Sequence, residues 1–213
     1  MHVKLASQVP YQRPEMDRLV DLFFELQKLP LFEGSGFGAA TIEEWFQYDA
    51  RAMHMASQTD QDQERVRFRN LSSFLARLVK AGFEDSEMLY AFITLQEALE
   101  YEFEAANASH VLASEYLVSM AAEWIIMAGE AFLLDVEDAD GYASQGDLSW
   151  EGEPRFSLGR WQFWTRRFGF FAGCEMLTEE TRNAAKLAAE KMKCIEEQEC
   201  EAFSLYLDLV IDN

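Results

Sequence analysis

Apolar residues recur every three or four positions along most of the chain, with polar residues between them. This is the spacing of one face of an α-helix. The pattern predicts helices at residues 14–29, 41–53, 66–79, 86–103, 111–129, 157–171 and 178–207. No stretch alternates apolar and polar residues between turn signals, as a half-buried strand would. The sequence therefore predicts an all-α fold, a single-domain helical bundle of about seven helices over residues 1–213.

Residues that favour helix ends stand at the expected places. Pro14 suits the first turn of a helix, and Pro30 cannot continue one. Gly82 follows the third predicted helix, while Ser86 and Ser157 precede the fourth and sixth as candidate N-caps. Residues 135–156 hold acids, glycines and a proline without a helical period, and they predict one long acidic loop.

The net charge is strongly negative. With 38 acidic and 18 basic residues among 213, the formal charge is −20. Such a balance repels phosphate backbones, so the sequence excludes nucleic acid as a partner. A hydrophobic content of 49% is enough for a substantial core. The carboxylate run Glu97, Glu100, Glu102 and Glu104 is expected to form a solvated helix face.

The sequence predicts neither a secretory segment nor a membrane span. The first eight residues hold one lysine and no apolar run of signal-peptide length. Residues 111–134 are the most apolar, but Glu115, Glu123 and Glu130 interrupt them, and carboxylates in a bilayer are costly. Three cysteines are an odd number and favour a reducing compartment. We expect a soluble cytoplasmic protein, and a nuclear location stays open.

Motifs for metal or cofactor chemistry do not occur. A di-iron helical bundle needs Glu-x-x-His pairs, but Arg51 stands three residues before His54 and Asn107 three before His110. The glycine-rich residues 34–38 match neither a phosphate-binding loop nor a dinucleotide fingerprint. The sequence therefore predicts no metal and no cofactor, and it identifies no catalytic residue.

The most unusual segment combines tryptophans with arginines at residues 160–168. Trp161, Trp164 and Phe168 share one helix face, and the arginines are expected largely elsewhere. In one interpretation this is a core helix whose arginines pair with the protein's own carboxylates. In the other it is an aromatic pocket wall with arginine available for an anionic group. The second interpretation predicts a ligand site at Arg77, Trp124, Arg160, Trp161, Trp164 and Arg167.

Blocks across most of the chain resemble one protein family. They lie at residues 8–11, 17–20, 71–78, 91–99, 121–125, 157–168 and 178–181, and the most specific is the Arg-Trp-x-Phe-Trp block at 160–164. With these blocks the chain resembles the fungal domain-of-unknown-function family 3632 (DUF3632). The resemblance implies a fungal source and an intracellular helical domain, and it supplies no catalytic residues. It also implies that this chain lacks an N-terminal helix present in relatives.

Two classes of function remain open. The first is a protein-interaction or regulatory module that meets a basic partner through an apolar helix face or the acidic surface. The second is a small-molecule-binding protein or a cofactor-free enzyme of fungal secondary metabolism, of the cyclase or isomerase type, with an aromatic-lined pocket. The absence of metal and nucleophile motifs favours the first, and the aromatic content of 14% favours the second. The expected partner is a protein or a small apolar molecule, and a homodimer stays open.

Overall fold

A computed structural model describes residues 2–29, 58–83, 87–134, 150–152 and 156–211, and the described residues form helices and no strand. The all-α prediction is confirmed. The helices are α1 (His2–Ala6), α2 (Pro14–Gln27), α3 (Gln58–Lys80), α4 (Glu87–Leu99), α5 (Ala108–Leu134), α6 (Leu158–Ala172) and α7 (Glu179–Ile211).

Several predicted helix ends agree with the structure. Helix α2 begins at Pro14, and α6 begins after Ser157, whose side chain accepts a hydrogen bond from the backbone N–H of Arg160. The short helix α1 was not predicted, because five residues do not display a helical period. The predicted helix at 41–53, the Ser86 cap and most of the predicted acidic loop at 135–156 lie outside the described residues.

The fourth helix ends earlier than predicted. Its apolar pattern suggested an end near Phe103, whereas α4 ends at Leu99. Glu100 turns its side chain into the protein interior, and the guanidinium of Arg167 donates to the backbone oxygens of Leu99 and Tyr101. Arg167 thus satisfies carbonyls that a continuing helix would have bonded internally.

The chain divides into two compact units, residues 1–90 and 91–213, which we call unit 1 and unit 2. The division falls inside α4. The single domain over residues 1–213 stays a prediction.

In unit 1, helices α1, α2 and α3 pack against one another. The ring of Phe23 on α2 meets the rings of Phe74 and Phe83 edge-on, at centroid distances of 6.2 and 5.2 Å. The segment between α1 and α2 is held by Asn70 of α3, whose amide donates to the Ser7 carbonyl and accepts from the Tyr11 N–H. A buried polar side chain thus orders a loop that is distant in sequence.

In unit 2, helix α7 packs against both α5 and α6. Glu115 of α5 lies at the start of α7, where its carboxylate accepts from the backbone N–H and hydroxyl of Thr178 and from the hydroxyl of Thr181. Ser119, one turn further along α5, lies 3.1 Å from the same Thr181 hydroxyl. A carboxylate is favourable at a helix N-terminus, so this contact positions α7 on α5.

Helix α5 is the most apolar helix, and residues 108–132 are long and apolar enough to cross a membrane. The same helix supplies much of the core of unit 2, with Val118, Ala121 and Ile125 fully buried. Two of its carboxylates make polar contacts. Glu115 accepts from the hydroxyl of Thr178, which precedes α7, and Glu130 accepts from Lys191 of α7. The length and hydropathy of α5 fit a membrane span and a core helix alike, and its buried residues in unit 2 are those of a core helix.

Two glycines are expected to respond oppositely to the same substitution. Gly82 has a φ of 88°, where a Cβ is disfavoured, so Gly82→Ala should lower the free energy of unfolding by about 1 kcal/mol. Gly169 lies inside α6 with no side chain or distant backbone within 4 Å of its Cβ position. Gly169→Ala should therefore raise stability by about 0.5 kcal/mol. Urea unfolding of both variants tests the pair, and a stabilising Gly82→Ala would contradict this assignment.

Candidate functional site

A buried ion pair lies inside unit 2. The guanidinium of Arg160 donates from Nε to Oε1 of Glu100 at 2.6 Å and from Nη2 to Oε2 at 2.7 Å. The indole N–H of Trp164 donates to the same Oε1 at 2.8 Å. All three side chains are fully buried. The geometry is a two-point contact between arginine and carboxylate, which is the strongest form of this pair.

Local structure brings these groups together. Ser157 starts α6, so Arg160 lies in its first turn and Trp164 one turn later on the same side of the helix. Glu100 is the residue directly after α4, and its backbone N–H still bonds to the Gln96 carbonyl. The carboxylate is therefore placed at a helix C-terminus, where the helix dipole disfavours it, and Arg160 compensates.

Aromatic rings enclose the ion pair. Cζ of Arg160 lies 4.7 Å from the centre of the Phe92 ring and 5.6 Å from that of Trp164. Phe156 packs against Trp164 at 5.8 Å, and Phe132 meets both rings. A charged pair surrounded by rings is shielded from water, so its Coulomb attraction is strong and the loss of either partner is costly.

Two buried indole groups have no hydrogen-bond acceptor within the described part of the chain. They are the N–H groups of Trp124 on α5 and Trp161 on α6. The Trp161 ring approaches Gly129, where the absence of a side chain lets α5, α6 and Ile195 of α7 come close together. Buried donors usually find a partner, so these two indole groups are among the exceptions, and a bound acceptor could satisfy them.

Arg167 connects the end of α4 to the surface of α6. Its Nε donates to the Leu99 carbonyl at 2.7 Å and its Nη2 to the Tyr101 carbonyl at 2.9 Å. Its Cζ lies 5.1 and 5.0 Å from the ring centres of Phe170 and Phe171. Desolvation by burial lowers the pKa of Arg167 from its ordinary value. The guanidinium is held by two carbonyl groups and two rings.

Beside Arg167 an apolar surface is open to solvent. We define it as the aromatic patch, formed by Tyr101, Phe103, Gly169 and Phe170. Tyr101 is 57% exposed and Phe170 49% exposed. The Phe103 ring lies 6.0 Å from that of Phe170. Arg167 holds the Tyr101 backbone and also contacts the Phe170 ring, so one guanidinium joins these two members of the patch.

The six predicted ligand-site residues are divided between the two units. Trp124, Arg160, Trp161, Trp164 and Arg167 belong to unit 2, and the three tryptophans and Arg160 are buried there. Arg77 belongs to unit 1, where it donates to Asp17 and to the Tyr11 carbonyl. The ligand site at these residues remains a prediction.

The interpretation of a core helix with internally paired arginine is confirmed for Arg160. The expectation that Arg160 lies away from the buried face is wrong, because it stands one turn before Trp164 and points inward with it. The expectation of a solvated carboxylate face is wrong for Glu100, which is buried as the partner of Arg160. The sequence feature that could have indicated the burial of Arg160 was its four-residue spacing from Trp164, which places both side chains on one side of the helix.

The fold and this site define an all-α protein with an ion pair and indole group buried in its second unit. The chain belongs to the family described as Protein of unknown function (DUF3632), which matches residues 1–168. The matched range includes Glu100, Arg160 and Trp164, and α7 follows it. No curated protein and no solved structure matches the chain.

Proposed function

We propose that the protein is an interaction module that binds a basic segment of a partner protein through unit 2. The observation that carries this proposal is the distribution of charge. Unit 2 has 24 acidic and 8 basic residues, a difference of −16, whereas unit 1 has 14 and 10, a difference of −4. A surface of one sign attracts partners of the opposite sign and raises their association rate.

The state of the interior supports a surface function. Arg160, Trp161 and Trp164 have no exposed side-chain area, and Arg160 is bound at two points by Glu100. A ligand that used this arginine would have to separate a desolvated ion pair, which costs several kcal/mol. Contacts on the outside of unit 2 carry no such cost.

Peptide binding tests the proposal. A fluorescein-labelled peptide of about sixteen residues, rich in Lys and Arg with Leu and Phe between them, is titrated with the protein, and anisotropy is recorded. We expect saturable binding that weakens by about tenfold between 50 and 300 mM NaCl, because salt screens exposed charges. A peptide with Glu in place of each basic residue should not bind.

A second protein separates specific binding from simple charge attraction. An unrelated folded protein of similar size and net charge is titrated with the same basic peptide under the same conditions. If it binds as tightly as this chain, or if this chain does not bind the basic peptide, the proposal is overturned.

A second candidate function is the binding of a small apolar molecule, including the case of a cofactor-free cyclase or isomerase. The buried indole N–H groups of Trp124 and Trp161 favour it, because a ligand carbonyl could accept from them. Native mass spectrometry of the protein purified from its own host is the test. An excess of a few hundred daltons that is lost on denaturation supports this candidate, and a bare mass contradicts it.

A further inference from the structure

We propose that the aromatic patch is the docking surface for this partner, and that the bound segment carries an apolar anchor beside a lysine or arginine. This inference rests on the proposed function and names the surface and the chemistry of the partner. The anchor packs on Phe170 and Gly169, and the cationic side chain reaches the carboxylates that flank Phe103.

The patch has the rigidity of a binding site. Phe170 is backed by the rings of Phe103 and Phe171, at centroid distances of 6.0 and 5.2 Å. The guanidinium of Arg167 lies over the rings of Phe170 and Phe171 while it is bonded to the end of α4. An exposed aromatic side chain that is already ordered loses little entropy when a partner covers it, which is typical of residues that dominate binding energy.

Gly169 gives a partner access to the helix backbone. It is exposed next to Phe170, and nothing beyond the helix lies within 4 Å of its Cβ position. The surface beside the Phe170 ring is therefore lower than a side chain would make it. An apolar side chain of the partner can lie there against both the ring and the backbone.

The charges around the patch give the bound segment a direction. Glu102 and Glu104 are exposed on either side of Phe103, at the end of the patch formed by the α4–α5 connection. Arg166 is exposed three residues before Gly169 and four before Phe170, on the same side of α6. The cation of the partner therefore belongs beside the exposed carboxylates of Glu102 and Glu104, because Arg166 and the half-buried Arg167 repel it beside Phe170.

Substitutions in the patch test the inference with the basic peptide described above. Gly169→Gln fills the open space without changing charge, and it improves helix propensity, so the fold should be kept. Phe170→Ser removes the anchor surface. We expect each to weaken binding by about tenfold or more. The matched control is Leu158→Ser, which removes a 48% exposed leucine about 18 Å along the same helix, and it should change binding by less than about twofold.

Charge variants test the direction of the segment. Glu102→Gln with Glu104→Gln should weaken binding and reduce its dependence on salt, whereas Arg166→Glu should tighten it. A role of these residues in stability alone would not change binding in opposite directions. Thermal unfolding of each variant confirms that the comparison is made between folded proteins.

The outcomes distinguish this inference from the proposed function. If Gly169→Gln and Phe170→Ser bind the peptide as the parent does, the patch is overturned, while the binding of a basic peptide by the protein stands. If the parent binds no basic peptide, both fail. If light scattering shows a dimer that Phe170→Ser dissociates, the occupant is a second copy of the chain and the inference is overturned.

Discussion

Arg160→Met is expected to lower the free energy of unfolding by about 3–5 kcal/mol. The substitution keeps much of the side-chain volume and removes the two donors that Glu100 uses. It leaves a carboxylate fully buried among aromatic rings with the Trp164 indole N–H still donating to it. The desolvation cost of this charge is then no longer offset. Equilibrium unfolding in urea, followed by tryptophan fluorescence, measures the loss.

A comparison of the single variant with a double variant shows that the cost arises from the unpaired charge. Arg160→Met combined with Glu100→Gln removes both charges, and it should be more stable than Arg160→Met alone. Arg166→Met is the matched control, because it makes the same change on an exposed arginine of the same helix, and it should shift stability by less than about 0.5 kcal/mol. Equal losses at positions 160 and 166 would contradict the assignment of a buried pair.

Tryptophan-to-phenylalanine substitutions at two positions in α6 are expected to differ. Trp164→Phe removes a hydrogen bond to a buried carboxylate together with part of a packed ring, so we expect a loss of about 2–4 kcal/mol. Trp161→Phe makes the same replacement of an indole by a phenyl ring. The indole N–H that it removes has no acceptor in the described structure. This substitution should cost about 1–2 kcal/mol, which is the packing contribution alone.

The difference between these two variants is the informative quantity. Both tryptophans are fully buried on α6, so the volume lost is the same and the hydrogen bond is what separates them. Urea unfolding of the two proteins side by side measures this difference. A Trp161→Phe variant that is the less stable of the two would mean that its indole N–H has an acceptor, such as a bound molecule.

Helix α6 shows how far local sequence information extends. Ser157 predicts its start because a serine side chain can accept from the first free N–H groups of a helix, and this contact is present. The tryptophans predict its buried face. The aromatic patch was not predicted, because it also needs Tyr101 and Phe103, and a helical period in α6 does not show that the α4–α5 connection lies beside Phe170.

The helix α1 and the α1–α2 connection show the opposite case. Residues 2–6 are too few to display a period, and the segment that follows is held by Asn70. A hydrogen bond between residues more than fifty positions apart has no local signature. The same reason explains why Arg77 could be grouped with Arg160 in the sequence, although the structure places the two in different units.

The amino-acid sequence by itself determined the all-α class, several of the helix ends and the negative charge. These properties depend on interactions between residues a few positions apart, or on composition alone. Only the tertiary structure decided that Glu100 is buried while Glu102 and Glu104 are exposed, and that Arg160 is paired while Phe170 is open to solvent. The physical reason is that the cost of burying a charge depends on its partner, and the partner of Glu100 lies sixty residues away on another helix.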